Sequence, residues 1–189
     1  MTGPTAMKWR WMGCAILAGL VSLSPASLAA QTMTVPAIKA GFLANFVKFA
    51  DWPADAVATG RPFTFCVVGD KAIADALEQI VKQHPGPQPQ SVTFVTADAP
   101  LRTCQLLYVG GLNSRQSKRV IESLNGAAVF TVSDADGFAE LGGVAQLRIV
   151  KGRMQFVINP AAAQRARLSL SAKFLGLATI VKDGPDVSR

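Results

Sequence analysis

The densest group of residues that could do chemistry lies at 131–143, with Ser133, Asp134, Asp136 and Glu140 among three glycines. The order Asp-x-Asp-Gly followed by Glu resembles a calcium loop, but it lacks the twelve-residue spacing with a closing Glu. We interpret the segment as a capped turn in which glycines relieve the backbone. The alternative is a polar pocket at the carboxyl ends of parallel strands, where ligands bind in open α/β sheets.

That pocket would hold a small molecule and would make the protein a receptor. Asn45 falls among the apolar positions of a predicted helix, where its amide needs a partner. Lys48 is one turn further along the helix. The residues expected to line the pocket are Asn45, Lys48, Ser133 and Asp134.

Catalysis finds little support in the residue types. The single histidine, His84, lies in a proline-rich loop at 83–90 and would be poorly oriented for acid–base work. An enzyme that uses His84 or Asp134 is therefore the weakest hypothesis for the function of this protein. A zinc site would have one histidine and no free thiols as ligands, and no G-x-G-x-x-G phosphate loop is present. We expect no metal and no cofactor.

The chain opens with the pattern of a secretory signal peptide. Lys8 and Arg10 precede an apolar run at 11–23, and Ser27-Leu28-Ala29 supplies small residues for cleavage. We expect residues 1–30 to be removed and the remainder to work outside the cytoplasm. The formal charge of +7 then falls to about +5 (17 basic minus 12 acidic residues). The excess positive charge is spread out and is not interleaved with aromatic residues, so we expect an ordinary solvated surface and no nucleic-acid partner. A weak attraction to anionic lipid or to an acidic partner stays open.

Two cysteines remain after the leader, since Cys14 lies within its apolar run. In an oxidising compartment an even count favours one disulfide, Cys66–Cys104, and two buried free thiols are the alternative. Cys66 lies within the first predicted strand and Cys104 begins the third, which are commonly neighbours in a doubly wound sheet.

The periodicity predicts alternating strands and helices. We expect helices at 35–52, 70–82 and 114–124, and strands at 63–68, 91–96, 104–109 and 127–132. A tight hairpin at 144–150 and 154–158 follows, then helices at 160–167 and 168–181. The prediction is one α/β domain at 31–182, with a mostly parallel twisted sheet flanked by helices, a C-terminal β-hairpin followed by two helices, and a polar tail at 183–189.

Several separated segments of the chain match the motifs of one known protein family. The first helix reads FLANFVKFADWP at 42–53, close to the family signature FLxNFxKFxxWP. The strand FCVVGD at 65–70, the segment TVSDADGFAELGG at 131–143 and the stretch GRMQFVIN at 152–159 match further motifs in the same order. Together these motifs resemble those of the YfiR-like periplasmic proteins, and the resemblance covers about 35–181.

The resemblance implies a regulator and not an enzyme. Family members of known role repress an inner-membrane diguanylate cyclase through its periplasmic part, which lowers cyclic-di-GMP synthesis, and an outer-membrane lipoprotein can sequester them. They form dimers and carry disulfides. Cys66 and Cys104 match one of these, and the chain lacks cysteines for a second near 137–147. We expect the partner to contact a polar and apolar surface made of Arg153, Asn159, Arg165, Arg167, Leu168 and Lys173.

Overall fold

A computed structural model describes residues 33–57 and 60–182, so the predicted signal peptide and polar tail lie outside the described residues. The strands are β1 (Ala50–Asp51), β2 (Phe63–Val68), β3 (Gln90–Val95), β4 (Leu106–Val109), β5 (Phe130–Ser133), β6 (Ala145–Val150), β7 (Arg153–Ile158), β8 (Ser169–Leu170) and β9 (Thr179–Ile180). The helices are α1 (Val35–Phe46), α2 (Lys71–Gln83), α3 (Ser114–Ser123), α4 (Pro160–Arg165) and α5 (Ala172–Gly176), with a 3₁₀ turn at Leu101–Thr103.

Seven strands form the central sheet in the order β3-β2-β4-β5-β6-β7-β9. Strands β2 to β6 pair in parallel, β7 runs antiparallel to β6, and β9 runs parallel to β7. The predicted α/β class with a mostly parallel sheet is confirmed. The predicted hairpin is also confirmed, since β6 and β7 join through Lys151-Gly152, both at positive φ as a tight two-residue turn requires.

Helices cover the two faces of this sheet unequally. Helices α1, α2, α4 and α5 bury their apolar residues against one face. That core is aromatic: the ring of Phe46 lies 5.2–5.6 Å from the rings of Phe130, Phe156 and Phe174, an edge-to-face and tilted spacing that stabilises aromatic clusters. Helix α3 and the 3₁₀ turn pack on the other face, around Leu107 and Phe138.

The first helix is shorter than the sequence predicts. It ends at Phe46 instead of Trp52, because Ala50 and Asp51 pair with Leu170 and Ser169 as a separate two-stranded sheet. Helical periodicity at 47–52 reflects burial against the same aromatic core, and the strand pairing overrides it.

The prediction of a long C-terminal helix at 168–181 is wrong. The segment forms β8, α5 and β9 instead. The hydroxyl of Ser171 accepts from the Phe174 backbone N–H at 3.2 Å and starts a new short helix. Strand β9 then adds to the sheet edge, where Ile180 pairs with Ile158. Among the described residues no helix is both long and apolar enough to cross a membrane.

Candidate functional site

One carboxylate lies at the point where the central strand β5 ends. Tyr108 of β4 donates from its hydroxyl to Oδ1 of Asp134 at 2.7 Å. Lys39 of α1 donates from Nζ to Oδ2 of the same carboxylate. Tyr108 is fully buried, and the side chain of Lys39 is only 14% exposed. We call Lys39, Tyr108 and Asp134 the carboxylate cluster; it joins the first helix to two central strands.

The electrostatics of the cluster fix its protonation state. Partial burial raises the pKa of Asp134, but the hydrogen bonds from Lys39 and Tyr108 and the charge of Lys39 outweigh burial and leave the pKa lowered. Burial, followed by the bond to Asp134, raises the pKa of Tyr108. At neutral pH Asp134 is therefore an ionised acceptor and Tyr108 a neutral donor. A carboxylate with a lowered pKa is a poor general base.

The four residues predicted to line a ligand pocket form hydrogen bonds to other groups of the protein itself. Ser133 is fully buried; its hydroxyl donates to the carbonyl of Val109 at 2.6 Å and accepts from Ala135 N–H at 3.0 Å. Asn45 is exposed instead of lying among the aromatics, and its Oδ1 accepts from Lys48 Nζ at 2.9 Å. Among the described residues no hydrogen bond joins Asn45 or Lys48 to Ser133 or Asp134.

Hydrogen bonds to Thr131 and Asn159 hold the C-terminal part of segment 134–143 against the rest of the domain. The hydroxyl of Thr131 accepts from Val144 N–H at 2.9 Å. The amide of Asn159 donates to the carbonyl of Ala139 at 2.8 Å. A Cβ at Gly143 would lie 2.1 Å from the Phe138 ring, so the backbone passes directly against that ring. This segment is a closed turn, as its glycines and polar residues predict.

Two of the six residues predicted to form the partner surface are buried. Asn159 is 0% and Leu168 only 5% exposed, and Asn159 also caps α4 by accepting from Ala162 N–H at 3.0 Å. Both side chains therefore lie beneath the surface and support the exposed residues around them.

The four cationic residues of that set are exposed but do not form one patch. Arg153 begins β7, five residues and roughly 17 Å before Ile158, the last residue of that strand. Arg165, Arg167 and Lys173 lie on α4, just after it, and on α5. We call these last three the α4–α5 surface and treat Arg153 with the hairpin.

Arg167 is held in an unusual backbone conformation. Its φ is +56°, the left-handed region that usually takes glycine after a helix. The N–H groups of Leu168 and Arg167 donate to the carbonyls of Ala163 and Gln164, each at 2.9 Å, so α4 ends in a Schellman motif. The guanidinium donates to both oxygens of Asp55 at 3.0 and 3.3 Å. These bonds, opposed by slight desolvation, lower the pKa of Asp55.

An open cleft of about 840 Å³ lies between α3, the segment 134–143 and α4. Charged residues of both signs line it: Lys118, Glu122, Asp136, Glu140 and Arg165. Its volume suits a small molecule. The sequence gives no signal for it, because the lining comes from three separate segments.

The predicted disulfide is confirmed. Cys66 and Cys104 are bonded with their Cα atoms 5.8 Å apart and are nearly fully buried on the α3 face of the sheet. They meet because β2 and β4 are neighbours, with Cys66 opposite Leu107. His84 lies exposed at the end of α2. Within 33–57 and 60–182 no group of three His, Cys, Asp or Glu is placed to hold a metal.

Sequence reasoning missed two members of the carboxylate cluster. Tyr108 is the single tyrosine of the chain, and it sits in a strand predicted to be buried. Because a buried tyrosine hydroxyl normally has a partner, Asp134 at the end of the neighbouring strand could have been paired with it. Lys39 carries no comparable signal.

Comparison with known proteins places the chain in a family. The family model described as YfiR/HmsC-like matches residues 36–179. No curated protein sequence matches the chain. A solved structure described as a conserved domain protein from Vibrio cholerae O1 biovar eltor is similar at 15% identity with a TM-score of 0.50. The similarity covers 75% of this chain and 60% of that one, and it concerns the fold alone. The family match spans most of the domain, and the chain belongs to the YfiR/HmsC-like family.

Proposed function

We propose that this protein is a periplasmic regulator that binds the periplasmic part of an inner-membrane diguanylate cyclase or related sensor and represses it. The observation that carries the proposal is the family match over 36–179. The proposal includes export through the leader, action as a homodimer, and sequestration by an outer-membrane lipoprotein, as the resemblance implies.

The state of the polar residues supports binding over catalysis. Ser133, Asn159 and Thr131 each use their side chains to bond the backbone. Asp134 is ionised and bonded by both Tyr108 and Lys39, so it serves as a fixed acceptor. These groups hold the fold together and leave no free nucleophile–base pair among themselves, which favours a protein that acts through its surface.

The α4–α5 surface is the part proposed to touch the sensor. Arg165, Arg167 and Lys173 are exposed, and the two hydrogen bonds to Asp55 hold the guanidinium of Arg167 in place. Arginine is enriched at protein interfaces because its planar group makes several directed hydrogen bonds. An acidic face on the sensor is the complement. A regulator of this kind acts by binding one state of the sensor better than the other.

Binding to the purified periplasmic domain of a neighbouring sensor gene tests the proposal. The triple variant Arg165→Gln, Arg167→Gln, Lys173→Gln should weaken the affinity about tenfold, taking roughly 0.5 kcal/mol for each exposed ion pair. The control removes three cations from α3 instead: Arg115→Gln, Lys118→Gln, Arg119→Gln. Equal weakening by both triples, or no binding by the unaltered chain to the sensor encoded beside it, would contradict the proposal.

A small-molecule receptor is a second candidate, favoured by the cleft between α3 and α4. A ligand that binds only the folded state raises the melting temperature. Thermal shift against amino acids, nucleotides and vitamins is the test, with Glu140→Gln as the variant that should reduce a shift seen with a cationic compound. A ligand could also tune repression, so the two functions are compatible.

A further inference from the structure

The positive charge of the domain is concentrated in its last third. Residues 33–140 contain nine basic and ten acidic residues, whereas residues 141–182 contain seven basic residues and no acidic one. The expectation that the excess positive charge is spread along the chain is therefore wrong, because between 33 and 182 the acidic residues that balance the cations stop at Glu140. Within 33–182, the net positive charge therefore comes from the residues after 140.

The hairpin formed by β6 and β7 carries three of these cations beyond the carboxyl ends of the parallel strands. Only Ala145 and Gln146 of β6 pair with β5, and only the last two residues of β7 pair with β9. The outer part of the hairpin, from 147 to 156, pairs only with itself. It projects about 13 Å past the end of β5, at roughly 3.3 Å for each of four residues.

The projecting hairpin has two different faces. Alternation along the strands places Arg148 and Arg153 on one face, with Lys151 at the tip, and all three are exposed. The other face carries Ile149, whose side chain is 52% exposed although it is apolar, beside Met154.

The start of α1 also extends past the carboxyl ends of the parallel strands. We call this end of the molecule, with the projecting hairpin, the cationic edge. Lys39 contacts Asp134 at the carboxyl end of β5, while Phe46, two turns later, contacts Phe130 at the start of that strand. The helix thus runs antiparallel to β5, and its first turn lies beyond the strand end. In that turn the apolar side chain of Val35 is 48% exposed, and Met33, two residues before the helix, is 69% exposed.

We propose that this edge of the molecule binds the surface of an anionic phospholipid bilayer. Arg148, Lys151 and Arg153 meet the lipid phosphates, and Ile149 with Val35 enters the interface between headgroups and acyl chains. Cations combined with a few exposed apolar side chains give the two weak signals that together hold a protein at a membrane surface. This binding goes beyond the proposed function and uses residues separate from the α4–α5 surface.

A nucleic acid fits this edge less well. Binding of single strands relies on aromatic side chains on which bases stack. The one aromatic residue of the hairpin, Phe156, is half-buried and packs against Phe42 and Phe46. The exposed apolar residues are aliphatic, which suits an acyl interface.

Vesicle flotation tests the proposal with protein purified from the periplasmic fraction. Phosphatidylcholine vesicles with about one third phosphatidylglycerol should bind the protein, pure phosphatidylcholine should not, and added salt should release it. The variant Arg148→Gln, Lys151→Gln, Arg153→Gln should lower the partition coefficient about 100-fold, at roughly fivefold for each cation. Ile149→Ser should weaken binding at unchanged charge.

The α3 triple variant is the matched control, since it removes the same charge elsewhere. It should retain most of the binding, and circular dichroism should show that each variant is folded. Two results would overturn the proposal: equal loss in both triples, which would mean a response to net charge alone, or no binding of the unaltered protein to the anionic vesicles. In the second case, an acidic protein becomes the better occupant of this edge.

Discussion

Removing the Cys66–Cys104 bridge should cost the domain a large share of its stability. The bridge closes a loop of 38 residues, and the chain-entropy relation gives about 4 kcal/mol for a loop of that length. A domain of this size is stable by only about 5–15 kcal/mol. The paired variant Cys66→Ala, Cys104→Ala should therefore be folded but marginal.

Urea unfolding followed by fluorescence measures this effect. Among the described residues Trp52 is the reporter, because its indole packs edge-on at 4.9 Å from the Phe63 ring and its N–H donates to the Gln105 carbonyl at 3.0 Å. With a slope of about 2 kcal/mol/M, a loss of about 4 kcal/mol lowers the midpoint by about 2 M.

Reduction of the unaltered protein separates the covalent contribution from packing. A strong reductant should bring its midpoint most of the way to that of the paired alanine variant, and should leave the variant unchanged. The entropy argument is refuted if thiol titration shows complete reduction while the midpoint of the unaltered protein stays where it was.

Three further predictions concern the carboxylate cluster and the segment beside it. Asp134→Ala should cost about 1–3 kcal/mol in urea unfolding, because it leaves the buried Tyr108 hydroxyl without its acceptor; Tyr108→Phe should cost less, since Lys39 still bonds the carboxylate. Asp134 has a lowered pKa in the folded state, so it contributes stability above its unfolded pKa of about 3.9, and that contribution is lost as the pH falls through the folded pKa. Unfolding below about pH 5 should consequently depend less steeply on pH in Asp134→Asn than in the unaltered chain; equal slopes would contradict the ion pair. Gly143→Ala should cost about 1–3 kcal/mol through its clash with the buried Phe138 ring, and a neutral effect would mean that the ring moves aside.

Much of the sheet could be predicted because its signals are local. Strand β2 is apolar at five of its six residues, and these five are buried on both faces of the sheet. Asp70 caps α2 by accepting from Ile73 N–H at 3.1 Å. A two-residue turn between alternating strands is sufficient to predict the β6–β7 hairpin. The disulfide follows from the usual order of strands in a doubly wound sheet.

The C-terminal segment could not be predicted because its structure depends on distant partners. Leu170 pairs with Ala50, and Ile180 pairs with Ile158. Two-residue strands carry no periodicity of their own, so apolar residues at helical spacing favour a helix that tertiary pairing then breaks.

The candidate sites also have parts that the sequence predicts and parts that only the structure reveals. The sequence identifies the polar segment 131–143 and its closed turn, but Ser133 and Asn159 look available until their backbone partners are known. The cationic hairpin edge needs the register of β6, since only the register shows that its outer half has no flanking strand.

Cyclic-di-GMP measured in intact cells tests the central claim most directly. Deleting the gene should raise the level, and restoring the full chain should lower it again, while a chain lacking residues 1–30 should fail because it never reaches the periplasm. An unchanged level after deletion, in cells whose neighbouring cyclase is expressed and active, would contradict the account.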